Sequence, residues 1–341
     1  MTEERVLVTG GLGFIGSAFV RRLAFEGVDV VNVDLGTYAG DERRLASARR
    51  FVRTVRSDVS DPGIISLVER ERPTLIVHFA AESHVTRSET DPARFFRSNV
   101  VGTEMVLRAA LRTTSPRVVH ISTDEVYGPC DGDAFREEDK EPGEGRATSA
   151  YARSKAVADD IARSFMDRVP VVVARLTNCF GPWQHPEKAI PRWTIRALRG
   201  ARVPVWGDGA QVRDWMFVED AVDAIGLLAR RGTPGETYNV GPRGRQWTNL
   251  EVARTIARAA GAPADVVYLT RYDRPQHDRR YAVDCTKIGN LGWTAPGAFE
   301  DRIRDTVQWY RANEAWWTEL IGESESLYPD ADEATTGAPG G

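Results

Sequence analysis

Thr9-Gly10-Gly11-Leu12-Gly13-Phe14-Ile15-Gly16 follows the short apolar run Val6-Leu7-Val8 and precedes a helix-like stretch from Ser17 to Phe25. Glycines 10, 13 and 16 therefore fall between a strand and a helix, where the backbone must turn sharply and then approach a ligand closely. Gly10 can make the turn, and Gly13 can bring the backbone up to a pyrophosphate stabilised by the helix N-terminus. Gly16 can let the helix pack tightly on the sheet. Phe14 and Ile15, within this turn, are also candidate cofactor contacts. A second strand, Val28 to Val33, ends on Asp34. An acid at that point can accept hydrogen bonds from an adenosine ribose diol and repel a 2′-phosphate, so NAD is expected over NADP. A helix or turn cap is the alternative reading of Asp34. Asp58-Val59, just past a third strand, can face an adenine edge, although a solvated aspartate fits there too.

Outward from this turn the chain alternates. Strand-like runs at Phe51 to Val55, Leu75 to Phe79, Val118 to Ser122 and Val169 to Leu176 are separated by helical patterns, among them Val100 to Leu111 and Tyr151 to Phe165. Such alternation implies parallel strands with crossover helices on both faces: an α/β, doubly wound, Rossmann-like sheet with ligands past its carboxyl ends. After about residue 177 the rhythm breaks, with prolines at 182, 186, 191 and 204 and aromatic residues clustered from Phe180 to Trp215. Residues 1–177 are read as mainly the dinucleotide-binding domain, with 215–240 returning to it. Residues 178–214 and 241–328 are read as a smaller, interleaved C-terminal substrate-binding lobe, and 329–341 as a disordered tail with almost nothing to bury.

The 341 residues suffice for a large core, and the net charge of -4 gives no general attraction to nucleic acid. Cys130, Cys179 and Cys285 share no metal-ligand spacing, and their odd number argues against a complete disulfide framework. No metal site is expected, and His78 and His120 are read as structural. No secretory leader and no membrane-spanning apolar run is read, so a reducing, cytoplasmic setting is expected, without a membrane partner.

Tyr151 and Lys155 lie one helical turn apart, on one face of a helix start. A nearby ammonium and the positive nicotinamide ring would favour a tyrosinate able to take a proton from an alcohol. A packed Tyr beside an exposed Lys gives the same spacing. Ser122-Thr123-Asp124-Glu125-Val126-Tyr127-Gly128 follows a strand at the sheet edge where ligands are expected. Two adjacent acids can serve neighbouring atoms of one substrate, and their repulsion raises one pKa. Solvated acids in a capped loop would give the same string.

In these stretches the sequence resembles the extended short-chain dehydrogenase/reductase superfamily, and within it the dTDP-glucose 4,6-dehydratase family. The resemblance runs from about residue 5 to 317. It rests on Thr9 to Ser17, Thr37-Tyr38-Ala39-Gly40, His78-Phe79-Ala80-Ala81-Glu82-Ser83-His84-Val85 and Ser122 to Gly128. Pro186-Glu187-Lys188, Arg213-Asp214-Trp215, Tyr238-Asn239-Val240-Gly241 and Asp273-Arg274-Pro275 through Arg279-Arg280-Tyr281 follow in order. The resemblance implies that Tyr151 is the base toward a C4 hydroxyl, with Thr123 hydrogen-bonded to that oxygen. Lys155 would hold the tyrosinate and the nicotinamide ribose. Asp124 would protonate the departing C6 hydroxyl and Glu125 would remove the C5 proton. It implies NAD as cofactor, contacted also by Ala80, and a nucleoside-diphosphate hexose, dTDP-glucose first, as substrate. Ser83, His84, Asn178, Glu187, Lys188, Trp206, Arg213, Asn239, Arg274 and His277 are its candidate substrate contacts. A homodimer through helices near 100–111 and 151–165 is also implied.

The chain departs from the family pattern at Thr86, at Cys179-Phe180, at Arg146 to Ala150, at Leu35-Gly36 and at Gln276. Several of these flank the expected sugar pocket and bear on which sugar and base are accepted. A nucleotide-sugar 4-epimerase would need the same cofactor, Tyr151 and Lys155, but no C5 base or C6 acid. A decarboxylase of a nucleoside-diphosphate uronic acid and a non-catalytic NAD-binding regulator are the other readings.

Overall fold

The computed structural model describes residues 5–141, 143–273 and 277–328. Arg274, Gln276 and the expected tail 329–341 lie outside them.

One seven-stranded parallel sheet is built from short strands, most of them valine-rich and buried on both faces. These are β1 (Arg5–Thr9), β2 (Asp29–Asp34), β3 (Val52–Arg56), β4 (Leu75–His78), β5 (Arg117–Thr123), β6 (Val171–Leu176) and β11 (Thr237–Val240). Their order is β11-β6-β5-β4-β1-β2-β3. The chain builds β1 to β3 outward in one direction and β4 onward in the other, so the strand order reverses between β1 and β4. That switch point opens a crevice at the carboxyl ends.

Side chains alternate along each strand. Val6 and Val8 face one layer, with Phe19, Val20 and Leu23 of α1 (Phe14–Phe25) and with Ala221, Ile225 and Leu228 of α8 (Val218–Arg231). Leu7 faces the other, with Ile64 and Val68 of α2 (Gly63–Glu71) and Val106 of α5 (Gly102–Leu111). Ala162 of α6 (Ala150–Ser164) belongs to that second layer. The short α3 (Val85–Thr90) and α4 (Pro92–Phe96) lead through a π-type turn, Arg97–Val101, into α5. The helix read from Val100 to Leu111 is thus the end of a longer helical passage. Helix α1 starts at Phe14 rather than Ser17, because Gly13 is already its N-cap.

A third core, holding Trp193, Val205, Phe217, Ile256 and Val307, lies under the second half of the chain. Around it sit α7 (Ala189–Leu198), α9 (Asn249–Ala260) and α11 (Phe299–Ala312). Three two-stranded sheets accompany it: β7 (Asn178–Phe180) with β10 (Trp215–Phe217), β8 (Val203–Val205) with β13 (Val267–Leu269), and β9 (Val212–Arg213) with β12 (Trp247–Thr248). The stretch from Trp215 therefore returns to the main sheet through α8 and β11, whereas β10 pairs outside it. Helices α10 (Thr286–Asn290), α12 (Glu314–Thr318) and α13 (Ile321–Ser326) complete the chain. Among the described residues, no helix is long and apolar enough to cross a membrane.

Candidate active site

The crevice at the switch point continues into a cavity of about 470 Å³, within the size range of small-molecule sites. Its first end is the glycine turn. Gly10 has φ +74°, and a Cβ there would stand 2.6 Å from the Ala80 nitrogen, so only glycine meets both the turn and the approach to the end of β4. A Cβ on Gly16 would stand 2.3 Å from the Gly10 carbonyl, which is how closely α1 packs on the turn. Gly13 caps α1 without a side chain, and α1 has no acid in its first turn. The opening backbone donors of α1 are therefore left for an anion. Gly13, Phe14, Ile15 and Gly16 all line the cavity.

Asp34 also lines it and serves as a cap at the same time. Its Oδ2 accepts from Leu12 N at 2.9 Å and its Oδ1 from Gly36 N at 2.7 Å. Burial raises its pKa, against the pull of those two donors. Asp58 accepts from Ser60 N and Oγ, both at 2.8 Å, and with Val59 and Ala80 forms the next stretch of wall. Every residue singled out in the sequence for the cofactor faces this one cavity. Arg44 was missed: buried, it donates to Leu12 O, Ala39 O and Trp183 O and joins the glycine turn to the second half of the chain.

The middle of the cavity is built where β5 ends. Thr123 caps a 3-10 turn over Asp124–Tyr127, its Oγ1 accepting from Glu125 N at 3.3 Å. The same hydroxyl donates to Asp124 Oδ1 at 3.2 Å and is hydrogen-bonded to the Tyr151 side chain. Helix α6 starts on a Ser149 cap, which places Tyr151 in its first turn and Lys155 one turn on. Lys155 Nζ donates to Ile121 O at 2.7 Å. Burial pulls its pKa down to about 8, with Asp159 opposing. Burial, then Glu125, pushes the Tyr151 pKa up. Within the chain alone the tyrosinate is disfavoured, contrary to the simple expectation from a neighbouring ammonium.

Thr123, Glu125, Tyr151 and Lys155 line the cavity. Asp124 does not: the tight turn directs its carboxyl behind Thr123, where it is 2% exposed and its Oδ2 has no hydrogen-bond partner. The expectation that both acids face the ligand is corrected to one on the wall and one behind it. Burial first, then Glu125 and Asp214, raise the Asp124 pKa to about 8. Mutual repulsion of the acids is therefore real but second to desolvation.

The far end is formed mostly by the second half of the chain, with Ser83 and His84 from the first. Ser83, His84, Asn178, Glu187, Lys188, Trp206, Arg213 and His277 all reach the cavity. Glu187 is already engaged, by Tyr38 Oη and Arg87 Nε, each at 3.1 Å. Lys188 Nζ donates to Ser83 O at 2.9 Å. Arg213 donates to Val212 O and Asp278 O and lies over the Tyr281 ring at 4.2 Å. Trp206 meets Tyr272, His277 and Tyr328 edge-on.

Asn239 is a correction. It is fully buried, bonded to Tyr127 Oη at 2.7 Å, Phe135 O and Asp284 O, and absent from the cavity wall. It ties β11 to the loops beside it. Tyr328, Tyr281, Arg192 and His185 line the cavity without having been named as site residues from the sequence. Tyr328 donates to Glu187 O, pairs with His84 Nε2 at 3.1 Å and lies under the Arg192 guanidinium. Arg192 lies outside every stretch singled out in the sequence, and Tyr328 follows its last matching stretch, so neither carried a local signal.

A strand–glycine-turn–helix, an acid closing the second strand, and a Tyr-Lys pair on a buried helix face are the parts of a dinucleotide site with a phenol placed beside it. The chain belongs to the NAD dependent epimerase/dehydratase family, whose model matches residues 6–241. It is 42% identical over 347 residues to a dTDP-glucose 4,6-dehydratase of Streptomyces niveus, covering 98% of each chain. It is 40% identical to dTDP-glucose 4,6-dehydratase 1 of Escherichia coli, covering 92% of this chain and 94% of that one. Among solved structures it resembles the dTDP-glucose 4,6-dehydratase DesIV of Streptomyces venezuelae, solved with NAD and TYD bound. There the TM-score is 0.86 and the identity 40%, over 93% of this chain and 99% of that one. A UDP-glucose 4-epimerase of Thermotoga maritima, with UDP-glucose, gives TM-score 0.84 at 28% identity, over 91% and 99%.

Proposed function

We propose that this chain is an NAD-dependent 4,6-dehydratase of nucleoside-diphosphate hexoses, acting on dTDP-glucose and yielding the 4-keto-6-deoxy sugar nucleotide. The observation that carries the reading is Glu125 on the cavity wall beside Thr123 and Tyr151. A 4-epimerase has no proton to remove at C5 and no use for that carboxylate. Relatives at 40–42% identity over nearly the whole chain carry the same activity in their names.

The residues fit the cofactor. The uncapped start of α1 suits a diphosphate and Asp34 suits a ribose diol. NAD, when bound, supplies the two-electron acceptor that takes the hydrogen from C4 and gives it back at C6. The chain's own groups handle the protons. Tyr151 takes the proton of the C4 hydroxyl, with Lys155 favouring its anion once the nicotinamide charge is beside it. Thr123 hydrogen-bonds the C4 oxygen. The C4 ketone acidifies C5, Glu125 removes that proton, and Asp124, held neutral by its burial, supplies the proton with which the C6 oxygen leaves as water. Arg213, Lys188 and Asn178 face the end where a diphosphate fits, and Trp206 with His277 the end where a base fits. Arg274 is assigned to the diphosphate from sequence alone. In this reading residues 178–214 and 241–328 form the substrate lobe, and the enzyme works in the cytoplasm.

Purified chain given dTDP-, UDP-, GDP- and CDP-glucose in turn tests this. Loss of one water and a 4-keto-6-deoxy product from the dTDP sugar are expected. Retention of the C6 hydroxyl in every substrate that turns over would sink the reading.

The electrostatics set a pH limit. Asp124 must be protonated to donate and Lys155 charged to act, and both titrate at about 8. These two groups therefore make turnover fall as pH rises through that value. A rate that keeps rising past pH 9 in a steady-state profile would contradict it.

A homodimer through α5 and α6 is also part of the proposal, supported by Val101, 40% exposed at the head of α5. Light scattering should give twice the chain mass of 37.8 kDa, and a monomeric mass at micromolar concentration would remove it.

A further inference from the structure

The dehydratase reading, on which this inference rests, leaves a proton out of place. The C4 hydroxyl proton passes to Tyr151 and stays there, because the product keeps its C4 ketone. The C4 hydrogen ends on C6. The C5 proton goes to Glu125, and C5 is reprotonated from the same carboxyl. The C6 oxygen departs as water with a proton from Asp124. At the end of one turnover Tyr151 therefore holds one proton too many and Asp124 one too few. Substrate, product and water balance, but the site is restored only when Tyr151 loses that proton and Asp124 regains one.

We propose that the Thr123 hydroxyl is the relay that returns this proton from Tyr151 to Asp124 and so resets the site. Thr123 Oγ1 has three polar neighbours: Glu125 N at 3.3 Å, Asp124 Oδ1 at 3.2 Å, and the Tyr151 side chain. A hydroxyl offers one donor and two acceptor positions. The Glu125 N–H occupies one acceptor. The remaining donor and acceptor serve Tyr151 and Asp124 and can be filled in two senses. After water leaves, Tyr151 donates to Thr123 and Thr123 donates to the Asp124 carboxylate. When the hydroxyl passes its proton to Asp124 Oδ1 and takes the tyrosine proton, the O–H bond of Tyr151 breaks and one forms on Asp124. The reversed sense, carboxylic acid to hydroxyl to tyrosinate, is the state needed for the next substrate. No oxidant or further reactant is involved.

The burial of the parts favours this path. Asp124 is 2% exposed and off the cavity wall, while Thr123 and Tyr151 are on it. Thr123 is thus the group bonded to both Tyr151 and the acid. Asp214 and Arg213 also act on Asp124 electrostatically, but Asp214 is engaged by Gln246 Nε2 and Arg213 by two backbone carbonyls. Cys179, held as the neutral thiol by burial, is no competing base.

The test compares Thr123→Val with Thr123→Ser and the wild-type chain, all retaining bound cofactor. Product formation is followed with enzyme in excess over dTDP-glucose and again at steady state. In the valine variant the single turnover, which starts from a protonated Asp124, is expected to slow about tenfold through the lost contact to the C4 oxygen, and the steady state ~100-fold. Imidazole or formate buffer, which can recharge Asp124 by another path, should raise the steady-state rate alone. Serine should restore both rates, and Thr123→Ala should repeat the valine pattern without the branched methyl. Equal falls in both regimes with no response to buffer overturn the relay while leaving the dehydratase reading standing. Absence of 4-keto-6-deoxy product from the wild-type chain overturns both.

Discussion

Glu125→Gln should lose water ~1000-fold more slowly than the wild-type chain, because a neutral amide cannot accept the C5 proton and general base catalysis contributes 10²–10⁴. The side chain keeps its size and the turn keeps its cap, since Thr123 Oγ1 bonds the Glu125 backbone and not its carboxylate. Binding of NAD should change little, as the carboxylate stands apart from the glycine turn and Asp34. Oxidation at C4 should survive, so that reduced cofactor absorbs near 340 nm while product fails to form. Stopped-flow absorbance with quenched product analysis reads both. A normal dehydration rate would take the base role away from Glu125.

Tyr151→Phe should stop the reaction earlier. The phenol is the group placed to take the C4 hydroxyl proton, and its loss is expected to cost ~1000-fold or more in the first step. No reduced cofactor should then accumulate. The ring itself packs against Phe95 at 6.5 Å between centroids and stays, so the fold should hold. The two variants separate the chemistry: one blocks before the cofactor is reduced, the other after. If the phenylalanine variant still reduced its cofactor at the wild-type rate, the oxidation would have to be assigned to another base.

Much of this site was legible because its signals are local. The glycine spacing, the strand before it and Asp34 after it are all set within one βαβ unit, and the turn demands them in that order. Tyr151 and Lys155 share a face because a helix repeats, and that needs no tertiary knowledge. Asp124 and Glu125 were recognisable as a pair but not as a wall and a buried acid. Their separation depends on a 3-10 turn whose Val126 and Tyr127 pack against Ala152 and Ala156 of α6. Asn239 was misread for a related reason. Its motif marks β11 correctly, but the side chain points toward Tyr127, Phe135 and Asp284, away from the cavity. Strand β10 shows the same limit at the level of fold, because a three-residue apolar run cannot announce that its partner is β7. Arg192 reaches the cavity from α7 and Tyr328 from just past α13, sequence-distant elements joined by ion pairs, Arg192 to Glu325 among them.

The oxidation and elimination sequence is tested most directly with dTDP-glucose deuterated at C4, turned over in ordinary water. The account predicts a 4-keto-6-deoxy product that carries the deuterium at C6 and solvent hydrogen at C5. Deuterium found back at C4, or lost to solvent with the C6 hydroxyl intact, would contradict it.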